Sequence, residues 1–176
     1  GAPSLAAQIR ASERATVSQV VDGTRITVDY SRPRARGRAA LFGGEVKWNE
    51  VWTPGANDAT TLEIDRDIKL DGHPVPKGIY SVWLVVREQG PWTMVLDPRA
   101  KLFHMAHPDS AMNQIRYPVN IETGPQTEVL TFTFPEIRPN GATLMLRWGV
   151  TQVSFRIDVT PTYNMVIDRQ KVGPYL

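Results

Sequence analysis

Ile79-Tyr80-Ser81-Val82-Trp83-Leu84-Val85-Val86-Arg87 is the stretch that decides the fold. Tyr80, Val82, Leu84 and Val86 share one face of an extended chain, while Ile79, Trp83 and Val85 share the other. Both faces are apolar, so both must be covered, which places this strand at the centre of a sheet. Its borders carry turn chemistry. Pro74, Pro76 and Gly78 stiffen the approach, and Gly90-Pro91 turns the chain into an apolar segment over 92–96.

The same reading extends outward in both directions. Residues 17–21 are β-prone, Asp22-Gly23 is a favoured two-residue hairpin turn, and 24–30 returns with Ile26, Val28 and Tyr30 on one face. Residues 48–52 form a short strand ended by Pro54-Gly55. Leu62 and Ile64 point inward from 60–65, and 68–70 adds a short piece before Asp71-Gly72. Downstream, 97–113 is the longest irregular stretch, with room for one helical turn. Strands are expected over 115–121, 128–134, 143–148 and 151–159, with a hairpin signal at Asn140-Gly141. This succession of short strands and turns predicts an all-β fold with little or no helix: a two-sheet antiparallel sandwich, jelly-roll-like. The domain is expected over 15–160. Residues 1–14 read as a mobile lead-in, and 161–176 as a C-terminal tail in which Tyr163, Met165 and Ile167 add an edge strand.

Length and composition restrict the function classes. The 176 residues fit one domain. With no cysteine, disulfides, thiolate metal sites and cysteine nucleophiles are excluded. Lysine plus arginine is 20 against 18 acidic residues, a formal net charge of +2, which makes no case for nucleic acid. No apolar run approaches the roughly 18 residues of a membrane helix. Residues 1–10 lack the basic start and apolar centre of a signal peptide. Gly1 reads as a scar of tag removal, which leaves room for a signal peptide having been removed ahead of it.

Several motifs stand in a recognisable order. Tyr30-Ser31-Arg32-Pro33 is followed by Gly37-Arg38, Leu41-Phe42-Gly43 and Val51-Trp52. Then come Gly55-Ala56-Asn57-Asp58-Ala59-Thr60, Leu70-Asp71-Gly72, Pro76-Lys77-Gly78-Ile79-Tyr80-Ser81 and Trp92-Thr93. Leu146-Arg147-Trp148-Gly149 and Val153-Ser154-Phe155 close the series. Over roughly residues 15 to 160 this resembles a bacterial family known as domain of unknown function 2911. The resemblance implies an exported, extracytoplasmic β domain, periplasmic or lipid-anchored, and supplies no activity. The family often has arginine after the Val-Trp pair, where this chain has Thr53; if that arginine binds an anion, this member has lost a donor.

The residues that can carry chemistry lie mostly in two loops. Arg32, Arg34, Arg36 and Arg38 offer guanidinium forks suited to carboxylate or phosphate; Arg32 and Arg38 belong to the motifs, and the plainer reading pairs the arginines with Asp29, Glu45 or Glu50. In the second loop Trp52 can stack on a sugar ring, and Asn57, Asp58 and Thr60 can bond hydroxyls. Against this, Asn and Asp commonly make local backbone bonds in turns. If Asp58 pairs with Arg32 or Arg38 inside the fold, the set is an architectural polar network.

Other constellations are weaker. His104 and His107 lack a third ligand, so no metal site is expected. Glu45, Glu50, Asp58, Glu63, Asp65 and Asp67 include carboxylates that a glycosidase would need, but any soluble chain has as many. There is no nucleophile elbow and no phosphate-cradling loop, and no cofactor is expected. Trp83, Trp92, Phe132, Trp148 and Phe155 fall on apolar strand faces and read as core. The sequence therefore favours a non-catalytic module that binds a small polar ligand or carbohydrate, or contacts another envelope component. A hydrolase using Asp58, with an arginine holding an anionic substrate, is the alternative. A purely structural domain is the third reading.

Overall fold

The computed structural model describes residues 12–110 and 113–162. Most of the expected lead-in and nearly all of the C-terminal tail, including its edge strand, lie outside the described residues. Among the described residues, eleven strands and no helix build two antiparallel sheets. They are β1 (Glu13–Val21), β2 (Thr24–Arg32), β3 (Val51–Trp52), β4 (Thr61–Ile64), β5 (Ile68–Leu70), β6 (His73–Val75), β7 (Gly78–Val85), β8 (Trp92–Asp97), β9 (Ile115–Val119), β10 (Glu122–Arg138) and β11 (Gly141–Val159). The first sheet runs β1-β2-β4-β7-β8-β9, with β3 pairing β7 off the path; the second runs β10-β11-β5-β6. The sandwich expected from alternation is the fold observed.

Strand β7 is central, as its two apolar faces require. Tyr80, Val82, Leu84 and Val86 join the main core between the sheets. On the outer face Trp83 and Val85 pack with Ala59 and Val95 beneath Leu102 of the β8–β9 connection. Ile79, expected to be covered with them, is 47% exposed because that covering stops short of the start of the strand. From the opposite sheet Leu130, Phe132, Leu144, Leu146, Phe155 and Ile157 complete the core.

Turn chemistry sets the register. Asp22 (φ 42°) and Gly23 (φ 79°) both take the left-handed conformation that matches strand twist, and Val21 faces Thr24 across them. The last hairpin differs from expectation. Arg138 faces Gly141, so the loop residues are Pro139-Asn140 and Gly141 already belongs to β11. The 97–113 stretch makes no helical turn among its described residues; it contributes a bridge from Phe103 to Asp58.

The sheets meet where β2 continues past Arg32. Arg34 bridges Val129 of β10, the Ala35 N–H donates to Glu128 O at 2.7 Å, and the Leu130 N–H donates to Pro33 O at 3.0 Å. Inside this corner the buried Phe132 N–H donates to the Tyr30 hydroxyl at 3.1 Å.

Candidate functional site

Beside this corner lies a groove of about 350 Å³. The loop after β2 supplies Arg38, Glu45 and Glu50; β3 supplies Trp52; the β8–β9 connection supplies His104 and Met105; and Trp148 of β11 closes the back. Its volume is at the small end of the range for ligand sites.

The aromatic wall is an extension of the core. Trp52 and Trp148 lie nearly parallel at 11°, with ring centroids 5.9 Å apart, and Phe42 meets Trp52 edge-on at 5.1 Å. Trp148 is buried, whereas Trp52 is half-buried. The buried Trp148 Nε1 has no hydrogen-bond partner among the described residues, although buried indole N–H groups usually find one.

The floor is fixed by Thr53. Its hydroxyl donates to Val82 O and accepts the Thr60 N–H, each at 2.9 Å. Thr60 in turn donates its own hydroxyl to Pro54 O at 2.8 Å. Gly55 is confined by the same contacts, because a Cβ there would stand 2.8 Å from Thr60 Oγ1. Thr53 thus sits inside the fold and serves as an internal strut.

Arg38 braces the loop that carries it. Nε donates to Ala35 O at 2.9 Å, Nη2 donates to Arg34 O at 2.6 Å, and Nη1 pairs with Glu45 Oε1 at 3.2 Å. Glu50 is exposed, and its Oε2 accepts the Lys47 N–H at 2.8 Å.

His104 is held from below by Asn57. The Asn57 carbonyl accepts the His104 N–H at 2.7 Å and lies 2.9 Å from Nδ1. A carbonyl can only accept, so Nδ1 carries the proton, and in the neutral ring Nε2 is a lone-pair acceptor. The base of this connection is clasped by Asp97, whose side chain is fully buried. Its carboxylate accepts from the Arg99 N–H, Nε and Nη2 and from Gln114 Nε2, at 2.7–2.9 Å. The Arg99 guanidinium is the main cause that lowers its pKa to about 2, aided by Gln114 and opposed by burial.

Of the ligand-binding candidates Arg32, Arg38, Trp52, Asn57, Asp58 and Thr60, Arg38 and Trp52 line the groove and the others do not. Arg32 is half-buried and bonds Leu130 O and Thr131 Oγ1 across the corner. Thr60 is buried in the Thr53 network. Asn57 acts through its backbone, with φ 60°. Asp58 is exposed, and its carbonyl accepts from Arg14 at 3.2 Å. Glu45, Glu50, His104 and Trp148 were visible as a carboxylate list, a loop histidine and a core aromatic. Local signals were present for Trp148, in the Leu146-Arg147-Trp148-Gly149 motif, and for Glu50, next to Val51-Trp52. Among the described residues no group of three or more His, Asp or Glu is placed to hold a metal, and no helix is long and apolar enough to cross a membrane.

Fold and groove together define a two-sheet antiparallel sandwich with one aromatic-walled, charge-rimmed recess. The chain belongs to the family described as protein of unknown function (DUF2911), whose model matches residues 12–157. Comparison with curated proteins and with solved structures finds no match.

Proposed function

We propose that this domain is a non-catalytic module that binds a small polar ligand of the carbohydrate class in the groove at Trp52. The observation that carries the reading is the half-buried Trp52, backed by Trp148 and ringed by polar groups. An aromatic face takes the apolar side of a sugar ring, while Glu45, Glu50 and His104 Nε2 accept from its hydroxyls. The proposal includes a bacterial, extracytoplasmic setting, which rests on the resemblance carried by the motifs.

A glycan array followed by ¹⁵N-labelled indole spectra tests the binding. A ligand should shift the Trp52 indole resonance and leave Trp83, buried on the far side of the sheet, in place. Silence across the array, or a shift confined to Trp83, would overturn the proposal. Fractionation of the source cell tests the setting, and recovery with cytoplasmic proteins would remove that part.

A further inference from the structure

The charges of the groove say which kind of sugar it takes. Its lining holds one arginine against two glutamates. The Arg38 guanidinium is bonded at Nε, Nη1 and Nη2 to its own loop and to Glu45, so it stands as a brace with its charge matched. Glu50 remains. It makes no ion pair among the described residues, and only Oε2 is engaged, by a backbone N–H. The same groove is lined by the half-buried Trp52 and by His104, whose Nε2 is an acceptor in the neutral ring. Glu50, Trp52 and His104 together suit a cation rich in donors. A carboxylate attracts it, an aromatic face adds a cation–π contact, and a ring nitrogen accepts one of its protons. An anionic sugar would meet surplus negative charge and an arginine already occupied.

We infer that the groove selects an amino sugar, its ammonium group held between Glu50 and Trp52. The inference rests on the carbohydrate reading above and names the ligand class of that same site.

Calorimetric titration with three β-1,4-linked trisaccharides tests it: cellotriose, the glucosamine trimer and the glucuronic acid trimer, which differ mainly in charge. Cadaverine serves as an amine without a ring. The glucosamine trimer should bind about tenfold tighter than cellotriose, from one screened charge pair and one cation–π contact. Added salt should narrow that gap. The glucuronic acid trimer should bind most weakly, and cadaverine should give no measurable heat. Glu50→Gln keeps an oxygen for the Lys47 N–H, so it should fold, and it should narrow the preference for the glucosamine trimer over cellotriose from about tenfold to about threefold, the share left by the cation–π contact.

Equal affinity for those two sugars in the unmodified protein, or preference for the glucuronic acid trimer, would overturn the cationic selection and leave the carbohydrate reading standing. Cadaverine binding as tightly as the glucosamine trimer would overturn the sugar component of the inference. No binding by any of the sugars would overturn both.

Discussion

Arg32 reaches from the end of β2 to the opposite sheet and donates its Nε–H to the Leu130 carbonyl at 3.0 Å. A second bond, from Nη2 to Thr131 Oγ1 at 2.8 Å, fixes the plane of the guanidinium. The pair stands at the corner where Pro33, Arg34 and Ala35 pass from one sheet to the other. Arg32 is therefore a strut between the sheets, well placed to carry load and badly placed to meet a ligand.

Arg32→Ala should lower unfolding free energy by about 2 kcal/mol, the scale of hydrogen bonds from a charged donor. For a domain of this size that is a melting shift of about 4–8 °C. Arg32→Lys should recover only part of it, because an ammonium does not reproduce the planar fork. Urea unfolding measures both, and an unchanged midpoint for the alanine variant would remove Arg32 from the architecture.

The Thr53 hydroxyl serves a donor and an acceptor in a site that is 1% exposed. Thr53→Val keeps the shape and deletes both bonds. It should cost about 1–2 kcal/mol by leaving the Thr60 N–H and Val82 carbonyl short of a partner. Thr53→Ser should stay closer to the original, since it restores the hydroxyl. Thermal unfolding of the two variants side by side separates loss of the bonds from loss of packing.

The strands were legible where alternation was clean, as in β2, β7 and the two ends of β11. Strand β10 and the length of β11 were not. Gly124-Pro125, Pro135 and Gly149 read as breaks, yet β10 and β11 run through them. Register shifts between Thr123 and Thr127 and between Thr133 and Glu136 absorb the two prolines, and Gly149 stays within β11 with φ 59°. The groove was half legible for a similar reason. Trp52 and Arg38 stand in local motifs, whereas His104 arrives through a contact with Asn57 across 47 residues, a distance no local pattern spans. Trp148 was correctly read as core; that a core ring also closes a groove depends on what stacks against it.

Asp97 gives the protein an acid-sensitive clasp. Its pKa, held at about 2 chiefly by Arg99, lies below the ordinary 3.8 of the unfolded chain. A lowered carboxylate pKa stabilises the fold fully above the unfolded value and loses that contribution as pH falls toward the folded one. The stability gap between the unmodified protein and Asp97→Asn should therefore be flat near neutrality and shrink between about pH 4 and pH 2. At pH 7 the gap should be about 2–3 kcal/mol, since Arg99 and Gln114 lose a charged acceptor. Urea unfolding across pH measures it, and a gap that stays constant down to pH 2 would show that the Asp97 charge contributes nothing.

Asn57 separates backbone from side chain most cleanly. Its φ of 60° is left-handed, and its carbonyl, not its amide group, holds His104. Asn57→Gly preserves both features and should leave stability within about 0.5 kcal/mol of the original, because glycine adopts this conformation without a steric penalty. Asn57→Ala keeps the carbonyl but places a Cβ in the disfavoured region, which should cost about 1 kcal/mol. A loss of that size in the alanine variant alone marks Asn57 as a turn residue chosen for its backbone. An equal and larger loss in both variants would instead assign the side-chain amide a contact of its own, and the loop motif would regain a direct role for Asn57.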